Sequence, residues 1–150
     1  MKISKYLDSG RVALNFEAKD KKAALQGLLD LLVEQGVVPR DKAPDVLRAL
    51  LEREDLTSTG LGYGLALPHT RTDQVSKVEV FFARSLKGLD FESLDGNPVH
   101  FIFLVIAAPR STDEYLKVIC LISSLMKNES VRKQLLSAKT KDEILAIFNR

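Results

Sequence analysis

A histidine that directly follows a proline is the residue of this sequence best suited to chemistry. Pro68-His69 ends a stretch of small residues in which Gly60, Gly62 and Gly64 alternate with larger ones. Glycines at this spacing let the backbone adopt unusual dihedral angles and let a ligand approach it closely. Pro68 fixes one backbone torsion just before His69 and so limits the directions in which the imidazole can point.

Side chains that can bind phosphate oxygens flank this histidine in the sequence, namely Arg53, Ser58, Thr59 and Arg71. Arginine can donate to two oxygens at once, and each hydroxyl can donate one hydrogen bond. Neutral imidazole is nucleophilic near physiological pH, and one ring nitrogen can attack while a hydrogen bond orients the other. Phosphoryl transfer needs in-line positioning and neutralisation of oxygen charge, with little further chemistry from the protein. These residue types therefore suit reversible phosphorylation of His69.

The residue pattern also leaves structural interpretations open. A lone histidine in an apolar setting is often a hydrogen-bonded structural residue, and the glycines could mark a bulged strand or a loop. They do not form a Walker-type phosphate loop, because no lysine follows them at the required position. Arg53, near a helix end, could serve the helix dipole. Glu54 and Asp55 could form a solvated helix end or could orient that arginine.

Three segments have the composition of strands. Residues 12–16 alternate enough for a short strand, and residues 77–86 place Val78, Val80 and Phe82 on one face. Residues 99–108 form the most hydrophobic segment, and their mixture of Val, Ile and Phe favours a strand at the centre of a sheet.

Four helices are predicted from apolar periodicity and terminal signals. Asp20 can cap a helix that Gly36 ends, and a second helix is predicted to begin near Asp41 or Ala43. Capping-box patterns over residues 111–114 and 140–143 predict two more. Their buried faces are expected to contain Ala24, Leu25, Leu28, Leu31 and Leu32, then Val46, Leu47, Leu50 and Leu51, then Leu116, Ile119, Ile122 and Met126, and finally Ile144, Leu145 and Phe148. We expect an α/β (α+β-like) fold, a single layered domain over residues 1–150 with a mixed β-sheet flanked by helices on both faces.

Composition narrows the classes of function. The formal net charge of +2 is nearly balanced and no long basic block occurs, so we expect no nucleic-acid partner. No apolar run approaches the roughly 20 residues needed to cross a bilayer, and no secretory signal is recognisable. Together with the single cysteine, Cys120, this predicts a cytoplasmic protein without direct membrane insertion. Cys120 is expected to be a small buried hydrophobe.

Neither a metal nor an organic cofactor is predicted. The two histidines are well separated in sequence and offer no ligand cluster at the usual spacing. His100 begins the predicted central strand, and we expect it to be structural or surface-exposed, at the opposite end of the strand from His69.

At the residues around His69 the sequence resembles the fructose/mannitol and nitrogen-regulatory type of enzyme IIA of the phosphoenolpyruvate-dependent phosphotransferase system. The resemblance covers nearly the whole chain. It rests on Arg53-Glu54, Ser58-Thr59-Gly60, Gly62-x-Gly64 and Ala66-Leu67-Pro68-His69, and it continues through Phe91, residues 95–99, the strand to Pro109, the helix that follows, and residues 142–145.

The resemblance implies a phosphohistidine carrier. His69 matches the position that accepts phosphate from the histidine phosphocarrier protein and passes it to an enzyme IIB or uses it as a regulatory mark on a target protein. Arg53 matches a family arginine near the active site, with a role in phosphate stabilisation. Ser58, Thr59, Arg71 and Tyr115 are expected to support phosphate binding.

Tyr115 is a departure from the family, many members of which carry a second histidine at this position. A tyrosine hydroxyl can donate one hydrogen bond to a phosphate but cannot become cationic there. This loss favours a nitrogen-regulatory role over high-flux sugar transport and leaves the rate of transfer in question. A fructose/mannitol-type transport enzyme IIA and a non-phosphorylated regulatory binding module are the alternatives.

Overall fold

One mixed sheet forms the centre of the molecule. The computed structural model describes residues 1–150. The strands are β1 Val12–Ala13, β2 Gly60–Gly62, β3 Leu65–Ala66, β4 His69–Arg71, β5 Glu79–Leu89 and β6 Val99–Ala107. Their order in the six-stranded sheet is β1-β5-β6-β3-β2, and β4 also pairs with β6. The β5–β6 and β2–β3 pairs are antiparallel, whereas β1–β5, β3–β6 and β4–β6 are parallel. The predicted mixed sheet is confirmed.

Helices cover both faces of this sheet, as predicted. They are α1 Lys21–Glu34, α2 Ala43–Leu56, α3 Thr112–Met126, α4 Glu129–Ser137 and α5 Lys141–Phe148. Successive residues of a strand point to opposite faces, so Phe103 packs against α3 and α5 while Leu104 packs against α1 and α2. Because β6 is buried on both sides, it has the continuous hydrophobic run that marked it as central. The sequence did not predict α4.

The first strand is shorter than predicted. It covers only Val12–Ala13, not residues 12–16. The carbonyl of Leu14 accepts a hydrogen bond at 3.1 Å from Nε of Arg84, so a side chain takes the place of the strand partner there. The backbone N–H of Phe16 then donates to the carbonyl of Arg84 at 2.9 Å.

The predicted capping box at residues 111–114 is wrong. Ser111 closes a short 3-10 turn, Pro109–Ser111, and its side chain makes no capping hydrogen bond. Thr112 donates its hydroxyl to the carbonyl of Pro109 at 2.7 Å, and Glu114 accepts from the hydroxyl of Tyr6 at 2.5 Å. Helix α3 therefore follows directly from the 3-10 turn. The carboxylate that a capping box would need accepts a hydrogen bond from the amino-terminal segment instead.

The outward face of α3 also differs from its predicted orientation. Leu116 is 52% exposed and Cys120 is exposed as well, so both were wrongly predicted to be buried. The buried residues of this helix are Tyr115, Val118, Ile122 and Met126. Tyr115 faces the sheet. Leu116 is the next residue, about 100° further around the helix, and therefore points away from the sheet.

Two substitutions test these cap assignments. Thr140 accepts a hydrogen bond from the N–H of Glu143 at 3.1 Å, so Thr140→Ala is expected to lower the free energy of unfolding by about 1 kcal/mol. Ser111→Ala is the matched control and is expected to change it by less than about 0.5 kcal/mol. Urea unfolding followed by circular dichroism measures both. Equal losses for the two variants would contradict the assignments.

None of the helices combines the length and the apolar composition that crossing a bilayer requires.

Candidate functional site

A tight hairpin and a strand interruption position His69. Tyr63 (φ 58°) and Gly64 (φ 71°) are the central residues of the β2–β3 turn, and positive φ at both positions defines a type I′ turn. After β3 the pairing with β6 is interrupted at Leu67-Pro68, because proline has no N–H to donate, although the carbonyl of Pro68 still accepts from the N–H of Val105 at 3.0 Å. The chain rejoins β6 at His69, which pairs with Val105. Thus β3 and β4 are one strand that Pro68 interrupts just before the histidine.

The glycines serve this local fold. A Cβ atom on Gly60 would lie 2.9 Å from the Cα atom of Ser93, so the close approach of these two segments requires glycine. The register shifts between Gly60 and Gly62, as in a bulged strand. The structural interpretation of the glycines left open above is therefore the observed one.

A hydrogen bond orients the half-buried ring of His69. Its Nδ1 lies 2.6 Å from the carbonyl oxygen of Leu67. A carbonyl can only accept, so Nδ1 carries the proton and Nε2 keeps the free electron pair in the neutral ring. Burial lowers the pKa of His69, and this outweighs the opposing effect of the Leu67 hydrogen bond; the charge of Arg53 lowers it and that of Glu54 raises it. The ring is therefore neutral and nucleophilic at physiological pH.

Two arginines lie on this part of the surface, and the charge of Arg53 acts on the ring. Arg53 is in the last turn of α2, which packs against β4, and its Nη1 donates to the carbonyl of Thr57 at 2.9 Å. Its Nε and Nη2 groups have no partner in the protein. Arg71 is two residues beyond His69 and donates through Nη1 to the hydroxyl of Thr112 at 3.0 Å. The fold thus brings two predicted phosphate ligands, from separate elements, to one surface.

Tyr115 completes this cluster from the first turn of α3. Its ring centroid is 6.0 Å from that of His69. The side chain is mostly buried and its hydroxyl has no hydrogen-bond partner in the protein. Burial raises the pKa of Tyr115 to about 12, although Arg71 and Arg53 act in the opposite direction. The hydroxyl is therefore a neutral donor at physiological pH.

The hydroxyls of Ser58 and Thr59 point into the protein's own structure. Thr59 donates its hydroxyl to Glu54. Ser58 donates to the carbonyl of Phe91 at 3.4 Å and accepts from the N–H of Gly60 at 3.0 Å. Neither hydroxyl contacts His69, so the structure does not place these two side chains as ligands of a phosphate on that ring.

Glu54 has a setting that sequence reasoning missed. It is buried, whereas the two alternatives offered for it were a solvated helix end and an orienting partner for Arg53. Its carboxylate instead accepts from Thr59 and forms an ion pair with Lys21 at 3.2 Å. No local signal could have found this pairing, because Lys21 is the first residue of a different helix, α1.

His100 is structural, as expected. Its Nδ1 lies 2.8 Å from the carbonyl oxygen of Ser85, and its ring is half-buried. It stands near the start of β6, and the partner of His69, Val105, is five residues further along that strand. At about 3.3 Å per residue the two histidines are separated by roughly 16 Å along the sheet.

Comparison with known proteins identifies the family. The family model described as "Phosphoenolpyruvate-dependent sugar phosphotransferase system, EIIA 2" matches residues 5–150. The chain belongs to this family, as its resemblance around His69 implied. Members are phosphotransferase-system components, and the mixed sheet between helices is the fold of the solved structures that match it.

Similar sequences carry both transport and regulatory names. The chain is 38% identical over 134 residues to the fructose-specific EIIA component of Haloferax volcanii, which covers 89% of this chain and 85% of that protein. It is 36% identical over 150 residues to the fructose-specific EIIABC component of Bacillus subtilis, and it spans only 23% of that longer relative. It is 31% identical over 132 residues to a nitrogen regulatory protein of Bradyrhizobium diazoefficiens, covering 88% and 84% of the two chains.

Solved structures similar to this chain also carry both regulatory and transport names. The nitrogen regulatory protein IIA-Ntr of Neisseria meningitidis matches with a TM-score of 0.88 and 30% identity, covering 97% of this chain and 98% of that one. The mannitol enzyme IIA of Escherichia coli, determined in complex with phosphorylated enzyme IIB, matches with a TM-score of 0.79 and 28% identity, covering 95% and 96%.

Proposed function

We propose that this chain is a phosphohistidine carrier that accepts a phosphoryl group on Nε2 of His69 from the histidine phosphocarrier protein. The observation that carries this proposal is the geometry of the ring. Its Nδ1–H is held by Leu67, its other nitrogen is free, and Arg53 and Tyr115 lie beside it with unused donors. Membership of the EIIA family supplies the class of reaction.

In the proposed transfer one N–P bond forms as another breaks, and no proton leaves the site. The electron pair on Nε2 of His69 forms the new N–P bond, and the N–P bond of the donor breaks and returns its electron pair to the donor ring. Nδ1 keeps its proton, and the carbonyl of Leu67 stabilises the positive charge that the ring then carries. Arg53, Arg71 and the hydroxyl of Tyr115 can neutralise and orient the phosphoryl oxygens.

Two onward uses of the phosphate are supported by different observations. Tyr115 stands where many family members have a histidine that could become cationic. This loss supports use of the phosphate as a regulatory mark on a target protein, which is the use we favour. The fructose-type relatives, at 38% and 36% identity, support transfer to an enzyme IIB instead. In a regulatory role the phosphate would add nearly two negative charges to the surface around His69, enough to change a complementary interface.

Incubation with radiolabelled phosphoenolpyruvate, the first enzyme of the relay and the histidine phosphocarrier protein tests the carrier function. Acid-labile label on the protein is expected. A chase with a fructose-type enzyme IIB then separates the two uses, because rapid loss of label supports transport and retention supports a regulatory mark. A wild-type protein that takes no label from matched partners would contradict the carrier function and favour a binding module.

Substitutions at Tyr115 test its contact with the phosphate. Tyr115→Phe removes the donor and is expected to slow labelling roughly tenfold, the value of one hydrogen bond to a charged group.

Tyr115→His introduces a group that titrates near pH 6.5. The ratio of its labelling rate to that of wild type should rise as pH falls from about 7.5 to 5.5, because the histidine becomes cationic. The hydroxyl of Tyr115, with a pKa of about 12, does not titrate in this range.

Initial rates at a series of pH values measure both effects, and expressing them as ratios removes the pH dependence of the donor proteins. A Tyr115→Phe protein that labels at the wild-type rate, with a flat ratio for Tyr115→His, would place Tyr115 outside the phosphate site.

A further inference from the structure

A buried carboxylate lies directly behind the candidate site. Glu54 is next to Arg53 on α2, yet it is only 6% exposed. Its two oxygens accept from the N–H of Thr59 at 3.2 and 3.0 Å, and the hydroxyl of Thr59 donates to it as well. The ammonium group of Lys21, at the start of α1, lies 3.2 Å away, and this lysine side chain is itself 14% exposed. The group thus joins α1, α2 and the segment before β2.

Burying such a carboxylate is unfavourable unless it is paired and hydrogen-bonded. Glu54 meets both conditions, through Lys21 and Thr59. A glutamine or an apolar residue would pack helix α2 without this requirement, so fold stability by itself does not account for a charge at this place.

Hydrogen bonds continue from this carboxylate to the imidazole. The carbonyl of Thr59 accepts from the N–H of Leu67 at 2.9 Å. The carbonyl of Leu67 in turn accepts from Nδ1 of His69 at 2.6 Å. One unbroken series therefore runs from Lys21 through Glu54, Thr59 and Leu67 to the ring.

We propose that Glu54 is a positioning residue for His69: by holding Thr59 it fixes the Leu67 carbonyl, and that carbonyl keeps the proton on Nδ1 and presents Nε2 to the incoming phosphoryl group. The benefit of this positioning rests on the carrier function proposed above, whereas the positioning itself does not. The charge of Glu54 also acts on the ring and raises the pKa of His69, against the lowering by burial and by Arg53.

The test compares Glu54→Gln with Asp55→Asn, which removes the neighbouring, exposed carboxylate of the same helix turn. Nitrogen-15 NMR of the histidine side chains, without any phosphoryl donor, reports which nitrogen of His69 carries the proton. Wild type and Asp55→Asn are expected to show the Nδ1–H form alone, and Glu54→Gln a mixture of both forms. Labelling by the phosphocarrier should be about 10- to 100-fold slower for Glu54→Gln and unchanged for Asp55→Asn.

Glu54→Asp separates charge from reach, since it keeps a negative partner for Lys21 but draws the carboxylate back from Thr59. It is expected to mix the two forms of His69 as well, and it serves as the second variant if Glu54→Gln folds poorly. A folded Glu54→Asp or Glu54→Gln protein that keeps the Nδ1–H form alone would overturn the proposal. Failure of the carrier function would appear differently, as unlabelled wild type with the tautomer difference still present.

Discussion

His69→Gln is expected to abolish acid-labile phosphorylation, with a loss of about 10³-fold or more to the background of the assay. A carboxamide nitrogen has no available electron pair with which to attack phosphorus, whereas Nε2 of the neutral imidazole has one. Glutamine can still donate an N–H toward the carbonyl of Leu67, so the β3–β4 segment should keep its conformation. Labelling from radioactive phosphoenolpyruvate, with circular dichroism to verify folding, measures the result.

His100→Gln is the matched control, because His100 is the second of the chain's two histidines and stands well away from the site. Its label should equal that of wild type. The opposite pattern, with label retained by His69→Gln and lost from His100→Gln, would move the acceptor to the other histidine. Label on both variants would place it on a different side chain.

Arg53→Gln is expected to reduce the labelling rate by about 10²- to 10³-fold, the effect of removing one preorganised donor from a developing negative charge. Arg53 presents Nε and Nη2 without partners in the protein while Thr57 holds its Nη1 group, so the guanidinium is already oriented. Arg53→Lys keeps the charge but loses the planar pair of donors, and it should recover only part of the rate.

Arg48→Gln on the same helix is the control for Arg53. Arg48 is exposed and pairs only with Asp45, at 3.2 Å, an interaction of little energetic value on the surface. Initial labelling rates at saturating phosphocarrier separate the variants. If Arg53→Gln and Arg48→Gln label equally fast, Arg53 does not contact the transferred group, and its role is confined to the carboxyl end of α2.

Elements with strong local signals were predictable. The first helix is an example, since Asp20 accepts a hydrogen bond from the N–H of Ala23 at 2.8 Å as its sequence position indicated. The central position of β6 is another, because a strand buried on both faces needs an uninterrupted apolar run. The capping box predicted at Ser111 does not form, because a distant segment uses its carboxylate. Glu114 accepts a hydrogen bond from the hydroxyl of Tyr6, near the amino terminus.

The residues predicted for the candidate site also fall into two groups, those that lie in the site and those that do not. Of the predicted residues, Arg53 and Tyr115 lie near His69, and Arg71 lies near Tyr115, although three different elements supply them. Ser58 and Thr59 are closer to the Pro-His pair in sequence than Arg53 is, yet their hydroxyls bond elsewhere. Proximity in sequence did not decide which groups face the ring.

What the sequence by itself determined is the candidate for the reactive group, His69, and the local constraint on it. An imidazole is the proposed nucleophile because of its chemistry, and Pro68 interrupts the strand before it because proline lacks an N–H. The tertiary structure alone decided which nitrogen of His69 is free, through the carbonyl of Leu67, and which distant residues surround it. Those choices depend on contacts between segments far apart in the chain, such as Lys21 with Glu54, and no local pattern encodes them.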